Sequence, residues 1–335
     1  MKGCFVNKDG SDRIEFVYKL DRRSIFEKEL EVLPGIVTEK NLDEHKAFLK
    51  ETEVIVTTWG FVPFTDEQLA EYFPKLRIVL YGAGSVQYFA RPFLNRGIRI
   101  VSGWGAMAIP VSEMSVSLVL LSNKGYFQTL LSYKKDGHRA ASNLGSKVFP
   151  GNYEIKVGVL GVGMIGTKVV ERLKQSRLEV LVYDPFLSDE KAAALGVKKA
   201  SLEEIFSSCQ TITNHIANNP QTVGMLKYDY FKLMLDNATF VNTARGATVV
   251  EADLVRALKE KPMRTAILDV TDPEPVQEGH EFLSMPNVFI SPHIAGYANM
   301  EVMRLADYMF DELKRFKAGE KLLYEVTIPM LETMA

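Results

Sequence analysis

The sequence V-G-V-L-G-V-G-M-I-G-T-K-V-V-E-R-L-K, which runs from Val157 to Lys174, is followed after a short polar turn by E-V-L-V-Y-D, which ends at Asp184. The pattern predicts an apolar strand, a glycine-rich turn, an amphipathic helix and a second strand that ends in an acid. This order is typical of one mononucleotide-binding half of a doubly wound parallel sheet.

The glycines of this turn have separate roles. Gly161 allows the tight turn out of the strand, Gly163 lets the backbone approach a pyrophosphate, and Gly166 lets the helix pack on the sheet. The helix begins at Met164 and Ile165, with its N-terminus facing the bound anion. We therefore expect these five residues to contact a dinucleotide.

Asp184 ends the second strand, where a carboxylate can accept hydrogen bonds from the ribose hydroxyls of adenosine and would repel a 2′-phosphate. The sequence therefore favours NAD over NADP as the cofactor. A single G-x-G-x-x-G motif is weak evidence, but here the strand, the helix and the acid follow in the right order.

Composition limits the class of protein. A chain of 335 residues with 47% apolar and 24% charged residues is typical of a globular protein with two domains. The formal net charge of −2 indicates neither a nucleic-acid partner nor an acidic membrane surface. Two cysteines are too few for a disulfide framework, residues 1–10 lack an apolar signal segment, and the longest apolar runs, such as residues 116–121, are too short to span a bilayer. These features favour a soluble, cytoplasmic protein, and no metal site is expected.

The first hundred residues predict an α/β domain of their own. Strands are expected at residues 4–6, 54–56, 78–81 and 98–101, and helices at residues 42–50 and 66–72. The second of these helices follows the N-cap candidate Thr65, with Gln68 completing a capping box. Gly82, Ala83 and Gly84 follow the third strand, where a turn of small residues either exposes backbone N–H groups to a ligand or is an ordinary tight turn.

Near Ala106 the pattern changes, and the domain junction is predicted there. A long apolar helix is expected at about residues 110–133, with Pro110 in its first turn. Residues 134–150 are polar and are interpreted as a turn-rich excursion that packs on a neighbour or on a second subunit.

From residue 155 strand and helix patterns alternate. Strands are expected at residues 157–160, 180–183, 211–214, 239–242, 266–268 and 288–290. Right-handed crossovers would place these six strands in one parallel sheet. A capping box formed by Ser201 and Glu204 begins one helix, and residues 300–317 form an amphipathic packing helix.

The residues that follow these strands outline one site, because ligands bind at the carboxyl ends of parallel strands. In strand order they are Gly161, Asp184, His215, Thr243-Ala244-Arg245-Gly246, Asp269 and Ser291-Pro292-His293. Every strand end carries a glycine or a polar residue.

Four segments carry a resemblance to a known family. They are G-V-G-M-I-G from Gly161, N-T-A-R-G from Asn242, L-D-V-T-D-P-E-P from Leu268 and S-P-H-I-A-G from Ser291. Together they resemble the signatures of the D-isomer-specific 2-hydroxyacid dehydrogenases, and Y-G-A-G from Tyr81 resembles the substrate loop of that family. The resemblance covers nearly the whole chain and implies that Arg245, Glu274 and His293 form the catalytic set.

The resemblance also implies an architecture. It indicates an α/β protein with two Rossmann-like domains: a doubly wound, parallel-sheet NAD-binding domain at residues 107–299, and a flavodoxin-like substrate domain at residues 1–106 and 300–335. The final helix would cross back to the N-terminal domain, and the substrate would lie in a cleft between the domains. A homodimer formed through the cofactor domain is implied as well, and the long apolar helix would suit a partner surface.

The chemistry of a 2-oxo acid fits the three implied residues. Its reduction needs a hydride from NADH, a proton for the carbonyl oxygen and a cation for the carboxylate. His293 is the natural proton donor, and Glu274 would orient its ring and favour the imidazolium. Arg245 can bind the carboxylate or polarise the carbonyl through its fork of donors. The backbone amides of Gly82–Gly84 would take the other carboxylate oxygen.

Further cofactor contacts are expected around the strand ends. The full set is Gly161, Gly163, Met164, Ile165, Gly166, Asp184, His215, Ile216, Thr243, Ala244, Arg245, Asp269, His293 and Gly296. His215 is interpreted as a positioning group beside the cofactor rather than as the acid. Asp269 is interpreted either as a cofactor-side carboxylate or as a support for the histidine, and Cys209 as a core residue.

Three residues depart from the family pattern, one in the loop of Glu274 and two in the region of the substrate loop. Thr271 stands where the family usually has an aromatic residue, and Gln87 and Tyr88 stand where its substrate loop often carries an Asp. Trp59 and Tyr81 would favour an apolar substrate group over a phosphate.

Alternative functions stay open. Formate dehydrogenases share the fold but resemble a pattern with Gln at the position of Glu274, whereas a phosphoglycerate dehydrogenase remains an alternative. An NAD(H)-sensing, corepressor-like relative would keep the catalytic residues without significant turnover, although the sequence shows no basic patch that would support it.

Overall fold

The computed structural model describes residues 1–8, 10 and 12–332. The strands are β1 (Lys2–Phe5), β2 (Glu31–Val32), β3 (Thr52–Thr57), β4 (Ile78–Tyr81), β5 (Arg99–Ser102), β6 (Tyr153–Leu160), β7 (Arg177–Tyr183), β8 (Lys198–Lys199), β9 (Thr211–Asn214), β10 (Thr239–Asn242), β11 (Thr265–Leu268), β12 (Val288–Ile290) and β13 (Glu325–Val326). The α-helices are α1 (Asp12–Val17), α2 (Arg22–Glu29), α3 (Leu42–Leu49), α4 (Asp66–Tyr72), α5 (Ala90–Asn95), α6 (Trp104–Asn123), α7 (Tyr126–Asp136), α8 (His138–Lys147), α9 (Met164–Leu173), α10 (Asp189–Leu195), α11 (Leu202–Ser208), α12 (Tyr228–Phe231), α13 (Glu251–Glu260) and α14 (Met303–Ala318).

The chain separates into two compact units. The first comprises Met1–Met107 with Gly296–Ala335, and the second comprises Ala108–Ala295. The sequence placed the two boundaries after residues 106 and 299. Gly296, which was expected among the cofactor contacts, groups with the first unit.

The second unit is built on a parallel sheet in the order β12-β11-β10-β9-β6-β7-β8. Counted from β6, this is the 3-2-1-4-5-6 order of a dinucleotide-binding fold with one further strand. Strands β9, β10 and β11 are buried along their whole length, as expected where helices cover both faces. The prediction of a doubly wound parallel sheet is confirmed, although β8, which consists of two lysines, was missed.

The first unit contains a sheet in the order β13-β5-β4-β3-β1-β2. Strands β1–β5 are parallel in the order 2-1-3-4-5, which is the flavodoxin-like order that the sequence predicts. Strand β13, which was not predicted, adds to β5 in the antiparallel direction. Helix α14 returns to this unit and buries Leu305, Met309 and Leu313 in the apolar cluster beneath the sheet.

The prediction of one helix over residues 110–133 is wrong. Two helices, α6 and α7, occupy this region, and Pro110 lies inside α6 rather than in its first turn. The break falls at Gly125, whose φ of 62° is the left-handed conformation that glycine adopts readily. A Cβ there would lie 2.0 Å from the ring of Phe149, so the close approach of that ring also requires glycine.

The prediction of a turn-rich segment at residues 134–150 is also wrong, because α8 occupies most of it. Gly137, with a φ of 82°, separates α8 from α7, and the two helices pack together as a hairpin. Ala141 is buried, and a Cβ on Gly145 would lie 3.2 Å from Thr129. Small residues at the contact let these polar helices approach each other, which composition alone does not indicate.

Helix α6 bears on the expectation that no segment could cross a bilayer. With 20 residues and a mean hydropathy of 1.5, it is long and apolar enough to do so, so that expectation was wrong on length and composition. In the structure 56% of the apolar 18-residue window in α6 is buried. A buried core helix can have the same length and hydropathy as a membrane-spanning helix.

Both cysteines lie in the core. Cys4 and Cys209 are each at most 1% exposed, and burial raises the pKa of both thiols to about 12. Thiols of this kind are inert at neutral pH, because the thiolate is the reactive form.

Candidate functional site

The glycine-rich turn links β6 to α9 in the second unit. Gly161 has a φ of 84°, and a Cβ there would lie 2.7 Å from the carbonyl oxygen of His215. A Cβ on Gly166 would lie 1.9 Å from the carbonyl oxygen of Gly161. A Cβ on Gly163 would meet no described atom within 4 Å, so the packing of the protein itself does not require glycine there. The turn therefore has the close backbone approach that a pyrophosphate needs at the start of α9.

Asp184 is held beside this turn. Its Oδ2 accepts from the backbone N–H of Val162 at 2.7 Å, and its Oδ1 accepts from the backbone N–H of Phe186 at 2.8 Å. A carboxylate has about four acceptor positions, so each oxygen keeps one for a further donor. The carboxylate thus has a fixed orientation and remaining capacity to accept from hydroxyl groups.

The end of β9 carries Asn214, a residue that sequence analysis missed. It is fully buried, and its Nδ2 donates to Asn242 Oδ1 at 3.1 Å and to Thr248 Oγ1 at 2.9 Å. Its Oδ1 accepts from the backbone N–H of Ile216 at 3.1 Å. The side chain therefore connects the loop after β9 with the loop after β10.

His215 follows Asn214. Its Nε2 lies 2.9 Å from Thr213 Oγ1, and its Nδ1 is shielded from solvent without a hydrogen-bond partner in the described part of the chain. Burial lowers the pKa of His215 to about 3. The imidazole is therefore neutral near pH 7 and can position a neighbour, but it cannot serve there as an acid.

The loop after β10 places Arg245. Asn242 Oδ1 accepts from the backbone N–H of Ala244 at 3.0 Å. The carbonyl oxygen of Arg245 accepts from Asn242 Nδ2 at 3.2 Å and from Thr248 Oγ1 at 2.9 Å. Thr243 is held from the other side, since its Oγ1 lies 2.8 Å from Ser115 Oγ on α6. Side chains therefore fix the backbone of this loop on both flanks.

Arg245 is half-buried. Its Nη1 donates to the carbonyl oxygen of Ala244 at 2.7 Å, and no carboxylate of the described residues lies within 4 Å of the guanidinium. Burial lowers the pKa of Arg245, while the charge of Glu274 opposes that effect. A guanidinium with donors to spare in a partly dry environment favours binding of a carboxylate or a carbonyl.

Gly246 brings the loop of Arg245 against the loop that carries Glu274. A Cβ on Gly246 would lie 2.1 Å from the carbonyl carbon of Thr271. Thr271 Oγ1 donates to the carbonyl oxygen of Pro273 at 2.9 Å, and Glu251 Oε1 accepts from the backbone N–H of Asp272 at 2.9 Å. The threonine that departs from the family pattern therefore stabilises its own loop.

The loop after β12 carries His293, whose Nδ1 lies 2.6 Å from Glu274 Oε1. Their side chains are 37% and 42% exposed, so the pair is accessible within the second unit. His293 has a φ of 55°, which is uncommon for a residue other than glycine. The structure thus brings together two residues that are separated by 19 positions in the sequence.

Asp269 holds the same loop. Its Oδ1 accepts from Ser291 Oγ at 2.5 Å and from the backbone N–H of Ile294 at 3.0 Å, and its Oδ2 accepts from the backbone N–H of Ala295 at 2.9 Å. The carboxylate is 2% exposed. Of the two interpretations of Asp269, these bonds favour the support of the histidine.

The glycine-containing turn of the first unit differs from expectation. The N–H of Gly82 donates to the carbonyl oxygen of Thr57 and that of Ala83 to the carbonyl oxygen of Tyr81, each at 2.8 Å. The expectation that all three amides meet a ligand is therefore wrong for these two, because the tight turn uses them internally. Of these three turn residues, Gly84 alone keeps an N–H without a backbone partner in the described part of the chain.

The aromatic residues of the first unit fall into two groups. Tyr81 is 2% exposed and packs on Phe89 with ring centroids 5.0 Å apart, so it belongs to the core. Trp59 is half-buried, with its ring 5.9 Å from that of Tyr297. Tyr88 is 52% exposed, and its hydroxyl donates to the carbonyl oxygen of Phe61 at 3.3 Å.

Comparison with known proteins matches residues 127–295, about half of the chain, to the family described as D-isomer specific 2-hydroxyacid dehydrogenase, NAD binding domain. YoaD of Bacillus subtilis (strain 168), whose name places it among the 2-hydroxyacid dehydrogenases, is 32% identical over 88% of this chain and 88% of its own length. A D-3-phosphoglycerate dehydrogenase of Methanocaldococcus jannaschii is 29% identical over 90% of this chain and 56% of its own length. The chain spans about half of the length of the phosphoglycerate dehydrogenases that it matches.

Among solved structures, a phosphoglycerate oxidoreductase from Rhizobium etli superimposes with a TM-score of 0.80 over 96% of both chains, at 19% sequence identity. A D-mandelate dehydrogenase of Rhodotorula graminis gives a TM-score of 0.78 over 97% of both chains, at 20% identity. At these identities the similarity establishes the fold.

Proposed function

Because the chain belongs to the family of D-isomer specific 2-hydroxyacid dehydrogenases, we propose that it is an NAD-dependent oxidoreductase that interconverts a small D-2-hydroxy acid and its 2-oxo acid. The observation that carries the proposal is the 2.6 Å contact between His293 Nδ1 and Glu274 Oε1, in the same unit as a half-buried Arg245. An imidazole that a carboxylate orients, together with a guanidinium, can supply the proton and the positive charge that carbonyl reduction needs.

His293 is the general acid of the reduction and the general base of the oxidation. With Nδ1 engaged by Glu274, the proton that moves to or from the substrate oxygen is the one on Nε2. Glu274 fixes the orientation of the ring and stabilises the imidazolium when it forms. The bonds of Asp269 to the flanking loop keep the ring in place between turnovers.

Arg245 binds the substrate carboxylate or polarises its carbonyl. Its planar fork of donors matches a carboxylate, and its partial burial strengthens the interaction relative to a fully hydrated ion pair.

The residues around the glycine-rich turn fit NAD. Gly161, Gly163 and Gly166 form the turn at the start of α9, and Asp184 keeps one acceptor position on each oxygen for the ribose hydroxyls. When bound, NADH supplies the hydride. The further cofactor contacts that we propose in the second unit are Met164, Ile165, His215, Ile216, Thr243, Ala244, Arg245 and His293.

A panel of 2-oxo acids with NADH and with NADPH tests the proposal. Glyoxylate, pyruvate, hydroxypyruvate, phenylpyruvate and 3-phosphohydroxypyruvate cover small, apolar and phosphorylated side chains, and the loss of absorbance at 340 nm reports turnover. We expect turnover of at least one acid with NADH and its loss in His293→Ala. Tight binding of NADH without turnover of any acid would contradict the proposal and favour an NAD(H)-sensing protein.

We further propose that the protein is a homodimer formed through the second unit. Tyr126, Leu130 and Tyr133 on α7 are 45%, 45% and 55% exposed, and their spacing places them on one face of the helix. Light scattering after gel filtration should give a dimer for the wild type and a monomer for the double variant Leu130→Glu, Tyr133→Glu. A monomeric wild type, or a double variant that stays dimeric, would refute this interface.

A further inference from the structure

The amide of Asn214 is the centre of a buried polar network beneath Arg245. It donates to Asn242 and to Thr248, and each of these side chains donates in turn to the carbonyl oxygen of Arg245. Asn214, Asn242 and Thr248 are each at most 1% exposed. Water therefore cannot replace these bonds without a rearrangement of the loop.

The donor and acceptor groups of these side chains determine which atom donates in each hydrogen bond of the network. Thr248 has one hydroxyl proton, which it donates to the carbonyl oxygen of Arg245 at 2.9 Å, so its oxygen must accept from another donor. Asn242 Oδ1 already accepts from the backbone N–H of Ala244, which orients its amide so that Nδ2 faces the same carbonyl oxygen. Asn214 supplies a donor to both neighbours, because its amide nitrogen carries two N–H groups.

The other side of the amide holds the loop after β9. Asn214 Oδ1 accepts from the backbone N–H of Ile216 at 3.1 Å, and Ile216 is among the proposed cofactor contacts. One side chain therefore orients the peptide that precedes Ile216 and the peptide that follows Arg245.

We propose that Asn214 is a positioning residue for the reaction, which sets Arg245 for the substrate and the backbone of Ile216 for the cofactor. This role rests on the proposed function, since it assumes that Arg245 binds the 2-oxo acid. Asn214 does not touch the reacting atoms. It acts through Asn242 and Thr248, whose bonds keep the backbone of Arg245 in one arrangement.

Two substitutions of Asn214 distinguish the role of its donor nitrogen from the role of its acceptor oxygen. Asn214→Asp keeps the acceptor for Ile216 but replaces both donors with an oxygen that repels Asn242 Oδ1. We expect the KM for the 2-oxo acid to rise about 10- to 100-fold, the range expected when a binding group is misplaced by about 1 Å, with a smaller change in the Kd for NADH than in a variant that also loses the acceptor for Ile216. Asn214→Leu removes the acceptor as well, so it should weaken both substrate and NADH binding.

Variants of Thr248 test the same network even if the Asn214 variants fail to fold. Thr248→Val removes the hydroxyl that donates to the carbonyl oxygen of Arg245, and it should raise the KM about 10-fold. Thr248→Ser restores the hydroxyl and should restore the KM. A residue that serves only stability would not show this rescue in the KM of folded protein.

Asn287 provides the matched control. It is 8% exposed in the same unit, and its Nδ2 donates to the carbonyl oxygens of Leu258 and Arg264, away from the loop of Arg245. Asn287→Asp should lower the Tm as Asn214→Asp does, but leave both the KM and the kcat near wild type.

The outcomes are distinguishable. A wild type without turnover on any 2-oxo acid refutes the proposed function and with it this role. A wild type that turns over while Asn214→Asp and Thr248→Val keep its KM refutes the positioning role alone. A KM that rises equally in Asn287→Asp would show that general destabilisation, and not the network, is the cause.

Discussion

Replacement of Asp269 by Asn tests how the loop of His293 is held. The carboxylate accepts three hydrogen bonds, from Ser291 Oγ and from the backbone N–H groups of Ile294 and Ala295, on either side of a histidine whose φ is 55°. An asparagine has the same shape but only one acceptor atom. Its Oδ1 can keep the bonds to Ser291 and Ile294, which leaves the amide nitrogen facing the N–H of Ala295.

The expected loss of stability follows from these bonds. Ala295 is 4% exposed, so its unpaired N–H costs about 1–3 kcal/mol. The two remaining bonds change from charged to neutral acceptors and lose about 1 kcal/mol each. Since Asp269 is itself 2% exposed, solvent screening reduces these values little. Asp269→Asn should therefore lower the free energy of unfolding by about 3–5 kcal/mol.

Thermal unfolding measures this loss. For a unit as large as the second one, each kcal/mol corresponds to about 2–4 °C, so the Tm should fall by about 10 °C. Asp236→Asn is the matched control, because Asp236 is 74% exposed and forms a surface ion pair with Lys261, and its Tm should stay within about 2 °C of wild type. A Tm for Asp269→Asn that equals the control would refute the account of the loop.

Asp269→Asn should also lower the kcat, because the same hydrogen bonds hold the backbone of His293. A positive φ costs a histidine on the order of 1 kcal/mol, and the bonds of Asp269 hold His293 in that conformation. Once they weaken, the backbone can relax to negative φ and the ring turns away from its position beside Glu274. The kcat should fall about 100-fold at a temperature where the variant is fully folded. A folded variant with the kcat of wild type would show that the strained backbone does not position the imidazole.

Further predictions concern single groups of the site. His293→Ala should lower the kcat by about 10²- to 10⁴-fold, and wild-type turnover would exclude it as the acid. Arg245→Lys should raise the KM for the 2-oxo acid, because a point charge replaces a bidentate fork; unchanged kinetics would make Arg245 structural. Asp184→Ala should raise the kcat/KM with NADPH relative to NADH, and a constant ratio would remove Asp184 from the adenosine site. Burial lowers the pKa of His215 to about 3, so the unfolded chain takes up a proton below about pH 6.5 while the folded one does not. The contribution of His215 to the free energy of unfolding should therefore be fully present above about pH 6.5 and decrease as the pH falls below that value, so urea titrations of His215→Asn should show a weaker loss of stability with falling pH than the wild type; an equal loss would contradict this role of the buried neutral ring.

The fold was predictable where burial leaves a strong pattern. Strands β9 and β10 have the predicted bounds, because T-I-T-N and T-F-V-N consist of β-branched and aromatic residues, which favour strands, up to the closing asparagine. Helix α8 was missed because its residues are polar and its packing depends on small side chains such as Ala141 against α7. Strand β8 was missed because two lysines at a sheet edge have no apolar pattern.

The sequence predicts which residues lie at the strand ends of the site, but it does not predict the hydrogen bonds that these residues form. The sequence places Asp269 at the end of a strand, but its three donors come from a loop that begins 22 residues later. It places Gly82 and Ala83 in an exposed turn, but whether their amides are used internally depends on the φ and ψ angles of that turn. A list of residues at one edge of a sheet therefore states which groups can meet, while their partners depend on the conformation of the loops.

Asn214 shows what further signal the sequence holds. Taken alone, T-I-T-N is a strand that ends in a polar residue, and so is T-F-V-N at β10. Parallel pairing aligns Asn214 with Asn242, and equivalent positions in neighbouring parallel strands carry side chains on the same face. Two asparagines at such positions bury four N–H donors and two acceptor oxygens that must bond to one another or to their loops, because an unpaired buried donor or acceptor costs about 1–3 kcal/mol. The register of the sheet and the position of Arg245 are therefore coupled, and matching polar residues at the ends of neighbouring strands are a sequence pattern that predicts such a coupling.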